Sequence, residues 1–97
     1  VSKRGYLVVD ARARVPGQMD EYRRLAQQAV EKFGGTYLVR GTRCEIIEGE
    51  WLPERLVIVE FADVQRARNF YDSPEYKAAR EARAGVSDFQ MLLVEGC

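Results

Sequence analysis

A chain of 97 residues, 46% hydrophobic and 31% charged, has the composition of an ordinary globular domain, not a disordered or fibrous one. Fifteen Lys and Arg balance fifteen Asp and Glu, and zero net charge argues against an electrostatic nucleic-acid binder. Histidine is absent, which removes His-based triads, the usual zinc sites and the proximal haem ligand together.

This length predicts a single domain over residues 1–97 with a thin core. No apolar run approaches the roughly 18 residues of a membrane span and no basic-then-apolar leader is read, so no membrane partner is expected. Cys44 and Cys97 are far apart and outside any CxxC spacing, which points to reduced thiols and a cytoplasmic location. Cys44 reads better as a structural thiol than as a nucleophile, since no base neighbours it in sequence.

In chain order, Gly5 to Arg12 is rich in β-branched and aromatic residues and predicts a first strand, broken by Pro16-Gly17. Met19, Tyr22, Leu25, Ala26, Ala29, Val30 and Phe33 then recur at helical spacing, with charged residues between them. Gly34-Gly35 ends that helix. Thr36 to Arg40 starts a second strand, read as continuing through Cys44 to Glu48 with a bend at Gly41. Trp51-Leu52-Pro53-Glu54 reads as a turn, and Arg55 to Phe61 as the strongest strand. Asp63 is placed to cap a helix through Val64, Ala67, Phe70 and Tyr71. Ser73-Pro74-Glu75 restarts helix as far as about Gly85, with a hydroxyl cap and Pro at the first helical position. Phe89 to Glu95 closes the chain as a last strand.

The order β-α-β-β-α-β predicts an α+β fold of the ferredoxin-like type, an antiparallel sheet with helices on one face. Within it, right-handed crossovers suggest that the first and third strands lie parallel and adjacent. Most strands carry apolar residues on both faces, although two helices can cover only one. Tyr6, Val8, Leu56, Ile58, Met91 and Leu93 are expected on the bare side. Leaving six such side chains wet forfeits on the order of 5–10 kcal/mol, as much as a small domain's whole stability. A homodimer, sheet against sheet, is therefore expected.

Asp10, Arg12 and Glu60 interrupt that bare face. If Asp10 and Glu60 end adjacent parallel strands, they meet at one end of an inter-sheet pocket as an acid/base pair, with Arg12 and Arg40 nearby. The alternative is that an arginine neutralises them in a structural ion network. Tyr6 and Trp51 are candidate pocket walls. Tyr71 and Tyr76, beside the Ser73 helix break, are candidate ligand-facing phenols or, alternatively, core anchors with one polar tip. No glycine-rich phosphate loop, metal-ligand spacing or stacking RNA-binding motif is present, so no cofactor, metal or nucleic acid is expected.

Several stretches together resemble one bacterial family. They are Tyr37-Leu38-Val39-Arg40-Gly41, Glu48-Gly49, Val59-Glu60-Phe61, Phe70-Tyr71-Asp72-Ser73-Pro74-Glu75-Tyr76 and Leu93-Val94-Glu95-Gly96. They look like domain of unknown function 1330, over nearly the whole chain. The resemblance implies membership of the dimeric α+β barrel superfamily and hence a two-sheet dimer, but no activity and no catalytic residues. Other members of that superfamily include cofactor-free monooxygenases and lactone isomerases. By analogy these leave cofactor-independent acid/base chemistry on a small organic molecule, or a non-catalytic binding or assembly module.

Overall fold

The structure, a computed structural model, describes residues 3–41 and 43–97. Its elements are strand β1 (Gly5–Ala13), a single 3-10 turn (Pro16–Gln18), helix α1 (Asp20–Lys32), β2 (Thr36–Arg40), β3 (Leu56–Phe61), α2 (Val64–Asp72), α3 (Pro74–Ala82) and β4 (Ser87–Glu95). No helix among the described residues is long and apolar enough to cross a membrane.

Helix α1 turns Ala26, Ala29 and Val30 inward and stops where the sequence predicts. Gly34 takes a left-handed φ of 74°, and the Gly35 amide donates to the Val30 carbonyl at 2.8 Å. A Cβ on Gly35 would lie 2.9 Å from the Phe61 ring and from the Val30 side chain, so only glycine lets β2 start this close to the core. The Asp63 carboxylate accepts from the Arg66 amide at 2.7 Å and caps α2. Ser73 then serves two helices. Its hydroxyl donates to the Phe70 carbonyl at 2.7 Å and accepts from the Tyr76 amide at 3.1 Å, ending α2 and opening α3.

The four strands form one antiparallel sheet in the order β2-β3-β1-β4. Strands β1 and β3 are adjacent, as expected, but antiparallel and not parallel. The right-handed crossovers relate β1 to β2 and β3 to β4. Each skips one place in the sheet, and a strand from the other unit fills it.

Cross-strand pairs fix which side chains share a face. Leu7 lies opposite both Val59 and Leu93, and Val9 opposite Val57 and Met91. These side chains meet the helices, so Met91 and Leu93 belong to the core, not to the bare side. The bare face instead carries Tyr6, Val8, Leu56, Ile58, Leu92 and Val94, of which Leu92 is 65% and Val94 41% exposed. The result is a slab of 40 × 36 × 16 Å, one sheet and one helical layer thick.

On the helix side, Phe70 packs 4.5 Å from Tyr76 and 5.1 Å from Phe61, measured between ring centroids. Lys32 pairs with Glu75 and ties α1 to α3. Strand β2 ends at Arg40, and residues 43–50 form no strand, contrary to the extension predicted through Cys44. Gly41 does supply the bend, with φ 67°.

Candidate functional site

Strands β1 and β2 finish at the same end of the sheet, where β3 and β4 begin and where α1 starts its return. Between this end and the helices lies a cavity of about 70 Å³. Its floor is apolar, from Leu7, Val9 and Ala11 on β1, Val57 and Val59 on β3, and Phe89 and Met91 on β4. Ala26 and Val30 of α1 form the roof. Since a water molecule needs roughly 10–15 Å³ of such space, there is room for about five, or for a small organic body.

Six polar side chains interrupt this lining: Tyr22, Arg23, Tyr37, Arg40, Arg55 and Tyr76. The Tyr22 and Tyr76 hydroxyls meet at 2.8 Å across α1 and α3. Burial, followed by the Tyr76 phenol facing it, holds the Tyr22 phenol well above its ordinary value, with Arg83 offsetting a little. The Arg83 guanidinium stacks 3.9 Å from the Phe89 ring centroid and 5.5 Å from that of Tyr22. Tyr37 is also raised by burial, against the pull of Arg40, whose guanidinium lies 4.2 Å over its ring. Arg40 donates to the Gln27 amide oxygen at 2.9 Å, and Arg23 pairs with Asp20 at 3.3 Å. The Arg55 side chain crosses Gly41, where any Cβ would collide with it.

The residues singled out in the sequence are divided between the two faces of the sheet. Arg40 and Tyr76 line this helix-side cavity. Tyr6, Asp10, Arg12 and Glu60 stand on the bare face, in two separate pairs. The antiparallel register sets Tyr6 opposite Glu60 and Asp10 opposite Leu56. Asp10 and Glu60 are thereby four residues apart along the sheet, roughly 13 Å, and form no carboxylate pair.

Each has its own partners. The Tyr6 hydroxyl donates to Glu60 at 3.2 Å, and Arg4 lies 3.6 Å from the other Glu60 oxygen. Partial burial and that hydrogen bond raise the Tyr6 phenol. Asp10 is only 5% exposed because residues 52–54 fold over it. Its carboxylate accepts from the Glu54 amide at 3.1 Å and from Arg12 at 3.4 Å. Arg12 also donates to the Leu52 carbonyl, and Glu54 accepts from the Ala13 amide at 2.9 Å.

Tyr71 lies in a second, more open depression of about 160 Å³, beside Arg68 and Leu93. The Arg80 guanidinium stacks 4.4 Å over its ring. Trp51 is 62% exposed and lines neither space.

Four polar lining residues were not anticipated as site residues, among them Tyr37, which reads in the sequence only as part of a strand. Tyr22 reads in the sequence as one more member of the apolar helix stripe, and Arg23 as part of its wet side. Arg55 reads as the first residue of a strand. The available signal was a polar-tipped ring inside a stripe otherwise made of Met, Leu, Ala, Val and Phe, since a buried phenol needs a partner. Among the described residues, no group of three His, Cys, Asp or Glu side chains is placed to hold a metal ion.

Fold and site together define a small ferredoxin-like α+β protein with a helix-side cavity and an uncovered sheet face. The chain belongs to the domain of unknown function family DUF1330, whose family model matches residues 4–97. No protein with a curated description matches it. Among solved structures it is similar to a protein of unknown function from Rhodopseudomonas palustris, at 15% identity and a TM-score of 0.79, over 100% of this chain and 85% of that one. A Nitrosomonas europaea protein, provisionally named an antibiotic biosynthesis monooxygenase, is 13% identical with a TM-score of 0.58, over 99% of this chain and 92% of that one. A dimeric ferredoxin-like protein of unknown function from Thermobifida fusca is 11% identical with a TM-score of 0.56, over 97% and 92% respectively. At these identities the likeness is one of fold.

Proposed function

We propose that the chain acts as a homodimer in which each protomer holds one small organic molecule in its helix-side cavity. The observation that carries this reading is the cavity itself: an apolar floor closed by donors from three elements, α1, β2 and α3. Pairing through the bare sheet face would bury Leu92 and Val94, which a monomer leaves wet. The Thermobifida fusca protein of the same fold is itself described as dimeric. The reduced thiols expected at Cys44 and Cys97 go with a cytoplasmic setting.

Donors without a base suit holding an acceptor better than abstracting a proton, so binding is the primary reading and acid/base turnover the secondary one. Asp10 and Glu60 act in this reading as structural charges of the bare face, because each is already engaged by its neighbours.

Native mass spectrometry of protein taken from lysate, with thermal shifts across a panel of small aromatic and branched compounds, tests the proposal. Ala26→Leu projects a larger side chain into the cavity from α1. Ligand-dependent shifts should vanish in that variant while the unliganded melting temperature holds or rises. Shifts of full size in Ala26→Leu would place the ligand elsewhere, and a panel with no shift at all would leave an assembly module.

A further inference from the structure

The polar lining of the cavity is of one kind. Guanidinium groups donate hydrogen bonds and cannot accept them. Burial holds the protons of the Tyr22 and Tyr37 phenols more firmly than usual. No carboxylate, amide or aliphatic hydroxyl lies among the lining residues. A bound molecule therefore meets mainly donors, and no carboxylate, where it meets polarity.

Two of the three cations also have little to neutralise them. Arg23 pairs with Asp20, but Arg40 has only the neutral Gln27 amide and the Tyr37 face. Among the described residues, the Arg55 guanidinium has no hydrogen bond or ion pair. Both Arg40 and Arg55 lie near enough to the Tyr37 phenol to pull against its rise, opposed by the Glu31 carboxylate, so two positive groups and one negative group surround the ring.

The phenol pair adds an independent observation. Tyr22 and Tyr76 together own two hydroxyl hydrogens and make one bond between them. Among the described residues the second hydrogen has no acceptor, although Tyr76 is 2% exposed and both rings line the cavity. A part-buried donor left over has room for an acceptor from outside the chain.

We propose that the cavity selects a small monocarboxylate with an aromatic or branched hydrocarbon body, its carboxylate held by Arg40 and Arg55 and its body seated on the apolar floor. The spare hydroxyl hydrogen of the Tyr22–Tyr76 pair donates to an acceptor oxygen of the same molecule. The inference rests on the cavity being a ligand site and goes beyond it in fixing the ligand's charge.

Isothermal titration at pH 7 with benzoate and 3-methylbutanoate, each beside its primary amide, is the test. The carboxylates should bind at least tenfold more tightly than the amides, which match them in shape but carry no charge. Arg55→Gln and Arg40→Gln should each weaken carboxylate binding about tenfold and amide binding by a smaller factor, narrowing the preference for the acids. Arg55→Lys should restore part of the loss. Arg40 is exposed, so its variant keeps the fold if the Arg55 variant does not. Amides that bind as well as the acids would overturn the charge selectivity and leave the cavity reading standing. If none of the four compounds binds, both readings fall.

Discussion

The hydroxyls of Tyr22 and Tyr76, 54 residues apart in the chain, meet at 2.8 Å where α1 crosses α3. Their bond joins the two crossover units on the covered side of the sheet and forms one wall of the cavity. Tyr22→Phe should lower stability by about 1 kcal/mol at pH 7, the net worth of one hydrogen bond, as read by urea unfolding. The alkaline limb carries a sign. Because the folded Tyr22 phenol is raised, the unfolded chain gives up its proton first, so the Tyr22 contribution is fully present below about pH 10 and is lost as pH climbs above it. Tyr22→Phe should shallow that fall, and an unaltered alkaline limb would show that Tyr22 is not its source.

Ser73 stands between two helices, and both lean on its one hydroxyl. Ser73→Ala should cost about 1–2 kcal/mol, near the upper end for a lost cap, because the Tyr76 amide is left buried without its acceptor. Thermal unfolding followed by circular dichroism would register this as a lower midpoint with native helix content at 20 °C.

Leu92, 65% exposed on the bare side of the edge strand β4, is the position to probe for assembly. Leu92→Lys should turn a dimer into a folded monomer by multi-angle light scattering at micromolar concentration, since a buried unpaired charge is costly in a sheet-to-sheet contact. An unchanged dimer mass would mean that the copies meet somewhere else.

Asp10 holds the connection between β2 and β3 through the Glu54 amide. Asp10→Ala should speed hydrogen exchange at that amide by at least tenfold while the Leu7 and Val9 amides keep their protection. Uniform loss of protection along β1 would instead assign Asp10 to the sheet as a whole.

Gly41 combines a left-handed backbone with the crossing Arg55 side chain. Gly41→Ala should cost about 1–2 kcal/mol and displace the guanidinium from the cavity. Crystals of the variant would show Arg55 in a new rotamer.

Much of this fold is readable from residue spacing. Met19 to Phe33 announces α1, Ser73-Pro74-Glu75 announces α3, and the order of elements gives the ferredoxin-like arrangement. What spacing does not reveal is the choice between two apolar phases. Met91 and Leu93 alternate with Leu92 and Val94, all four fit either face, and only pairing with Leu7 and Val9 decides. The direction of β3 beside β1 decides the site in the same way. With the strands parallel, Asp10 and Glu60 would be neighbours; antiparallel, Glu60 meets Tyr6 instead. Asp10 and Arg12 stand out in the sequence because charges on an apolar face need an explanation. That explanation is a chain segment 40 residues away, which local patterning does not foresee.

The connection from Gly41 to Arg55 is pinned at its far end by Asp10, Arg12 and Ala13, and at its near end by Gly41 itself, whose amide donates to the Leu56 carbonyl. Clamped at both feet, the span between behaves as a replaceable cassette: its length and residues can drift without loosening the layers beneath. Because Arg40 and Arg55 flank those feet, such drift would leave the guanidinium rim intact while recutting whatever surrounds it. Descendants of one scaffold could in this way diverge in the molecules they admit while keeping an unaltered interior.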